Sequence, residues 1–470
     1  MPQSLSFDDI QKDDLRKGGS QLYAEKFERG LTEALVRKIS ADKSEPDWLL
    51  EIRLKALEQF HAMPLPRWGP DLKELIFKDI RYYATASDKK QSKSWDEVDP
   101  EIKRTFERLK IPEAERAVLA GAGAQYESEN VYHNLKAEWQ KLGVIFEDFD
   151  VAVREHPEIV RKYFTKSVPI TDHKFAALHY AVFSGGTFLY VPEEVKISQP
   201  LQAYFRMNAM NQGQFEHTLI VVENGADAHY IEGCSAPKYG SASLHAGCVE
   251  IFVKEGAKMR YSSVENWSSD TYNLNTKRAI VENRGTIEWV GGNLGSGCTM
   301  LYPCSVLVGD ESRSDHLGIA YAGEGQNQDT GAKVIISGKN CRAGVVSKSL
   351  SKDGGVSTYR GLVKIGKSAE NAVVNVECDA LMLDERSISD TVPQIEVGNP
   401  TASVTHEASA GKVSEEVLLY FQSRGLDEDA AKGIVVNGFL DEVVRTLPLE
   451  FAAELNRLIE LEMEGSVGGD

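Results

Sequence analysis

Three textures of apolar spacing follow one another along this chain. Over residues 1 to about 165 the apolar positions recur at threes and fours, the period of amphipathic helices. The clearest case is Leu49-Leu-Glu-Ile-Arg-Leu-Lys-Ala-Leu-Glu-Gln-Phe60. Ser44-Glu-Pro-Asp-Trp48 leads into it with capping residues and an early proline, and Met63-Pro-Leu-Pro-Arg-Trp-Gly-Pro70 stops it. Val131 to Leu142 and Asp150 to Phe164 also read as helical, and the lysine- and serine-rich stretch 84–98 reads as a mobile loop.

From about residue 170 the period shortens to two, and short runs of Val, Ile and Tyr end in small glycine turns. One glycine from each turn gives Gly225, Gly256, Gly285, Gly338 and Gly366. The steps between them are near-constant, except that Gly285 to Gly338 is close to a double step. A repeat of this size predicts stacked coils of a β-solenoid, and an antiparallel sandwich with evenly spaced hairpins stands as the alternative. Asn371 to Leu383 alternates like a half-buried strand of that region. At about residue 412 helical spacing resumes: Ser414 to Gly425, Asp427 to Arg445 and Leu449 to Glu464, before a glycine-rich tail expected to fray. These helices would cover an open solenoid end or bind a partner. The chain thus reads as mainly β with flanking α: a helical region 1–165, a β core 166–411 and a C-terminal helical region 412–470.

Composition narrows the function. The 470 residues carry a net charge of −18, which disfavours nucleic acid and anionic membrane as partners. No apolar run reaches the roughly 18 residues of a membrane span, and the start lacks the basic and apolar regions of a secretory signal, so a cytoplasmic protein with reduced thiols is expected. The six cysteines form no Cys-x-x-Cys pair, and each is by default a small buried hydrophobe. No phosphate-binding loop of the Gly-x-x-x-x-Gly-Lys-Ser/Thr type is present, so ATP hydrolysis by this chain is not expected.

Some residues invite chemistry. Cys378 precedes the His406-Glu407 pair by about one coil of the repeat. Equivalent places on successive coils would bring thiolate, imidazole and carboxylate within roughly 5 Å, a donor set suited to iron or zinc. The plain alternative is a buried cysteine and a solvated His-Glu pair. Cys234 sits between Gly233 and Ser-Ala-Pro237, which reads as a bend where a thiol is either accessible or inert. Arg206 and Asn208 share one strand face opposite Phe205 and Met207; with Trp267 and Lys277 they read as structural residues of polar strand faces.

Several of these stretches together resemble one family. Glu45-Pro-Asp-Trp-Leu-Leu-Glu-Ile-Arg-Leu-Lys-Ala56, Met63-Pro-Leu-Pro-Arg-Trp-Gly69, Tyr230-Ile-Glu-Gly-Cys-Ser-Ala-Pro237, Val264-Glu-Asn-Trp267, Tyr359-Arg-Gly-Leu-Val363, Thr405-His-Glu-Ala-Ser409 and Val436-Asn-Gly-Phe439 are similar to motifs of the SufB/SufD proteins of the SUF iron–sulfur cluster assembly system, and look like the SufB branch. The resemblance implies a right-handed parallel β-helix that builds a transient iron–sulfur cluster and passes it to apo-proteins. It implies a sulfur-accepting Cys234 fed by a cysteine desulfurase relay, an interior route over Arg206, Asn208, Trp267 and Lys277, and an assembly site at Cys378 with His406 and Glu407. Implied partners are a SufC-type ATPase on the C-terminal helices and a SufD-type subunit or a second copy; some members also bind reduced flavin. Two departures stand out: no cysteine precedes Cys234, and Thr405 replaces an acidic residue found before the histidine in some members. A SufD-like structural subunit and an exported β-helix carbohydrate-active enzyme are the competing readings.

Overall fold

The computed structural model describes residues 25–26, 29–85, 119–126, 128–207, 212–236 and 242–445. The expected helix Leu449–Glu464, the tail, all of the 84–98 loop beyond Thr85, and Asn208 lie outside them.

The β core is a right-handed parallel β-helix of about eight turns flanked by helices. Each coil contributes one long strand to a ten-stranded sheet and one or two strands to a fourteen-stranded sheet, short except for Val356–Ile365 and Ile388–Val397. The long strands Asp227–Ser235, Lys258–Trp267, Thr286–Gly295, Arg313–Ala322, Arg342–Ser351, Val373–Met382 and Ser403–Lys412 stack in parallel. Their first residues pair in turn: Asp227 with Lys258, Lys258 with Thr286, Thr286 with Arg313, Arg313 with Arg342, Arg342 with Val373, and Val373 with Ser403. The repeat seen in the glycines is therefore the coil itself. The double step from Gly285 to Gly338 hides one coil, whose turn carries Gly309 and places Glu311 at positive φ (58°), as the turns on either side place Arg284 (56°) and Asn340 (57°). Gly225 and Gly256 occupy the same left-handed region at φ 66° and 65°, where a side chain would be strained.

Inside the coils one apolar core runs from Leu201 and Tyr230 through Ile251 and Ile287 to Val376 and Cys378. A second core lies outside the shorter-strand sheet, where Phe149, Phe164, Phe183 and the helix Lys174–Val182 pack on Leu219, Val221 and Phe252. The helix Asp47–Ala62 contains the predicted Leu49–Phe60 segment. Asp150 to Phe164 is two helices, Phe149–Glu155 and Pro157–Tyr163, because Pro157 starts a new helix at its first position. Val131 to Leu142 is a correction. Only Ala137–Lys141 is helical, whereas Glu129–Leu135 is a strand antiparallel to Gly121–Tyr126, which extends the long-strand sheet. Pairing with a ready sheet edge overrides weak local periodicity there.

The C-terminal helices lead away from the open end of the coil. Val436 and Leu440 of the helix Glu428–Val444 pack on Ile231, Val264, Val290, Ile319 and Leu350, along the outer face of the long-strand sheet. The last strands, Ile388–Val397 and Ser403–Lys412, form the uncovered sheet edges, with Ile388, Val392, Ile395 and Val397 exposed. Among the described residues no helix is long and apolar enough to cross a membrane.

Buried imidazoles give the fold an acid limit. Burial pushes His133 and His316 down to about 3. The unfolded chain takes up these protons near pH 6.5 and the folded chain does not, so stability is full above about 6.5 and falls as pH drops toward 3. Each imidazole contributes a slope of up to about 1.4 kcal/mol per pH unit. Thermal unfolding followed by circular dichroism should show a midpoint that declines steadily below pH 6.5; a flat midpoint from pH 7 to pH 5 would contradict this.

Candidate functional site

The last two long strands bring Cys378 and His406 together: Cys378 Sγ lies 3.6 Å from His406 Nε2. Cys378 is buried and His406 half-buried, and the ring of Tyr359 is stacked 6.5 Å from the imidazole. Burial pushes the Cys378 thiol up to about 12, against the opposing hydrogen bond from Tyr359. The thiol is thus protonated until a cation compensates its charge. The juxtaposition differs from the expected one. The coil from Val373 to Ser403 is slightly longer than the interval from Cys378 to His406, so His406 is in register with Val376 and Cys378 with Ala408. Thiol and imidazole meet diagonally, two residues apart on the inward face. Glu407 is in register with Glu377, and both are exposed. One residue from His406, it points to the outer face of the sheet, away from Cys378.

Cys234 also differs from expectation. It lies within the strand Asp227–Ser235, buried inside the coil, not at an accessible bend. Burial raises its thiol pKa well above the ordinary value, and the carboxylates of Glu232, Glu216 and Glu265 add to that. Glu216, Cys234 and His245 offer ligand atoms within 4.8 Å of one another, and Glu216 bonds His245 Nε2 at 2.5 Å. Lys277 Nζ bonds Glu265 at 2.7 Å and Glu232 at 3.5 Å. Burial works against this ammonium, but the two carboxylates more than offset it and hold its pKa above the ordinary value. The Trp267 ring lies tilted against the His245 ring, their centroids 4.1 Å apart. Arg206 stands apart from this group. It bonds Ser235 Oγ at 2.7 Å on the strand face opposite Cys234, beside Tyr204.

Two register rows cross the interior. On the long strands Glu232, Ser263, Gly291, Gly318, Ser347 and Cys378 are successive partners. Their five steps span roughly 24 Å. Between Glu232 and Cys378 the row contains only serine and glycine, so it leaves space. A cavity of ≈ 60 Å³ is lined by Ser263, Gly291, Gly318, Ser347, His316 and Tyr359. On the short strands Gln214, His245, Asn273, Thr299, Gln328 and Ser357 form a polar ladder across the same coils. Asn273 Nδ2 joins it to Glu265 at 2.6 Å. A polar, roomy row thus leads from the neighbourhood of Cys234 to that of Cys378.

The family profile described as SUF system FeS cluster assembly, SufBD core domain, matches residues 205–439, and that of the SufBD protein N-terminal region matches residues 122–203. The chain belongs to the SufBD family. An iron–sulfur cluster assembly SufBD family protein of Staphylococcus saprophyticus is 53% identical over 441 residues, covering 94% of this chain and 95% of that protein. Similar proteins of Staphylococcus haemolyticus and Staphylococcus aureus are 54% and 53% identical over the same share.

For a SufBD protein the interior polar residues are the part that sequence reasoning missed: Glu216, Glu232, His245, Glu265, Asn273, Asn293, Gln328 and Tyr359. In the sequence these are ordinary polar positions of strands. Only the coil register, compared strand by strand, would have revealed that they share the inward face.

Proposed function

We propose that this SufBD protein is a SufB-type scaffold on which an iron–sulfur cluster is assembled as cargo and then given up to apo-proteins. The observation that carries the reading is the Cys378–His406 pair at the end of a small-residue row that begins beside Cys234. Cys234 thiolate takes the outer sulfur of a donor persulfide delivered by a desulfurase relay: the new S–S bond forms at Cys234 and the donor leaves as thiolate. Lys277 supplies the positive charge that a thiolate or persulfide anion needs in this interior, and Trp267 and His245 wall the route. An external reductant supplies the two electrons that cleave the Cys234 persulfide to thiolate and sulfide, and the sulfide then moves along the Ser263–Gly291–Gly318–Ser347 row.

At the far end, a single thiolate and an imidazole hold iron less tightly than a cage of four cysteines, which suits a donor. Glu407 takes part only after the edge strand Ser403–Lys412 shifts when a second subunit docks. The exposed edge with Ile388, Val392, Ile395 and Val397 supports a SufD-type chain or a second copy as that subunit. The exposed Val417, Leu419 and Tyr420 of the C-terminal helix Glu415–Gln422 support docking of a SufC-type ATPase, which provides the work of moving the two scaffold chains. Arg206, on the outer face, is proposed to organise the Ser235 end of the accepting strand instead of lining the route.

Gly318 gives a direct test. A Cβ added there would meet no atom of the described residues within 4 Å, so Gly318→Val should fold and fill the row. Loading of Cys234 by the sulfur donor should stay normal, while cluster formation from donated sulfur should fall sharply and cluster formation from added sulfide should persist. Unchanged cluster formation from donated sulfur in this variant would remove the route.

A further inference from the structure

A separate group of ligating side chains lies outside the coil, beneath the helix Lys174–Val182. His179 comes from that helix, and His217 and Cys248 are register partners on adjacent strands of the shorter-strand sheet. All three are buried, and their ligating atoms lie within 4.8 Å of one another. Phe149 and Phe164 close over the His217 ring at 4.5 and 4.9 Å.

The proton bookkeeping of this group needs either an extra proton on the His217–Glu250 pair or a cation. His179 Nδ1 lies 2.9 Å from the carbonyl of Ala246, so Nδ1 carries the proton and Nε2 presents a lone pair. His217 Nδ1 lies 3.0 Å from that lone pair and must donate to it. His217 Nε2 is then left with a lone pair and no hydrogen-bond partner among the described residues, facing Glu250 Oε2 at 3.6 Å. That carboxylate already accepts the backbone N–H groups of Thr165, Ser167 and Val168. Burial raises the Glu250 pKa to about 7, so this carboxyl can offer His217 Nε2 a proton; once it is ionised, two acceptors confront each other in a dry site, which is costly.

A cation between the two rings reverses the His217 tautomer. Both His179 Nε2 and His217 Nδ1 then direct lone pairs at the ion, and His217 Nε2–H donates to Glu250. This is the carboxylate–histidine–metal relay that orients imidazole ligands. The charges also close: a divalent ion is balanced by the Cys248 thiolate and the Glu250 carboxylate. The nearby Arg53 and Arg278 are already matched by Glu45 at 2.6 Å and Asp172 at 2.8 Å. The fourth position falls to water or to the Tyr180 hydroxyl, 3.7 Å from Cys248 Sγ.

We propose that His179, His217 and Cys248 bind a structural zinc ion that fastens the helix Lys174–Val182 to the β-helix. Imidazole nitrogen and thiolate sulfur are the donors zinc takes, the fourth position of its tetrahedron falls to water or Tyr180, and full burial means the ion enters during folding. The site is independent of cluster assembly.

The test uses the full-length chain carrying Cys234→Ser, Cys378→Ala and His406→Ala, so that neither the interior thiol nor the assembly pair can hold metal. Purified from zinc-supplemented medium, it should retain about one zinc per chain. Unfolded with a chelator and refolded with cobalt(II), it should develop an intense thiolate-to-cobalt charge-transfer band. Adding Cys248→Ser should abolish that band, and adding His179→Gln should shift or weaken it. Refolding with chelator alone should lower the melting midpoint relative to refolding with zinc. Negligible zinc together with no thiolate–cobalt band in the parent chain would overturn the proposal, and so would a band that survives Cys248→Ser. Because the parent chain alone decides the first outcome, misfolding of the added variants cannot rescue the idea.

Discussion

Replacing Cys378 by alanine is expected to abolish cluster build-up on the chain while leaving the fold nearly intact. The substitution removes one sulfur atom from the inward face of the penultimate long strand, at a cost on the order of 1 kcal/mol. It also removes the only thiol beside His406. The neighbouring imidazole alone cannot hold a cluster, because bridging iron–sulfur units need thiolate sulfur. Anaerobic reconstitution with iron and sulfide, read by absorbance and Mössbauer spectroscopy, is the measurement. Full reconstitution on Cys378→Ala would count against the assignment, whereas a wild-type chain that itself took up no cluster would make a SufD-like structural role the better description.

Cys234→Ser should separate sulfur delivery from cluster holding. The serine hydroxyl is nearly isosteric but cannot accept a sulfane sulfur, so loading by a persulfide donor should fall to background. Cluster formation from chemically supplied sulfide should be close to wild type, since Cys378 and His406 are untouched. Mass spectrometry of the anaerobically quenched protein reads the added sulfur directly, and normal loading of the variant would rule out this cysteine as the acceptor. The burial of Cys234 sharpens the expectation. Its thiol lies far above its ordinary pKa, so the donor must reach it in a complex that brings Lys277 into play as counter-charge.

The fold was legible where a local signal coincides with a global constraint. Gly225 and Gly256 mark turns because only a residue tolerant of positive φ fits there, and such turns recur once per coil. Later turns are less plain, because Arg284, Glu311 and Asn340 take the same conformation without being glycine. Glu129–Leu135 was misread because its pairing partner, Gly121–Tyr126, has a glycine- and alanine-rich sequence that announces no strand. At the site, the pairing of Cys378 with His406 was legible, but the direction of Glu407 was not. Coil length is not constant: the coil from Thr286 to Arg313 is several residues shorter than the one from Asp227 to Lys258. Spacing alone therefore cannot settle register to the single residue that decides which face a side chain takes. The same uncertainty concealed Ser263, Gly291, Gly318 and Ser347 as one row, and left Lys277 and Trp267 as structural residues of polar strand faces, with nothing to show that these faces turn into the coil.

The most direct test is whether His406 touches the cargo. Pulsed electron paramagnetic resonance on the reduced cluster, assembled on the full-length chain, should detect nitrogen hyperfine coupling from one imidazole, and that coupling should vanish in His406→Gln. A cluster with no nitrogen coupling in the wild-type chain, or with coupling unchanged in His406→Gln, would contradict the assembly site described here.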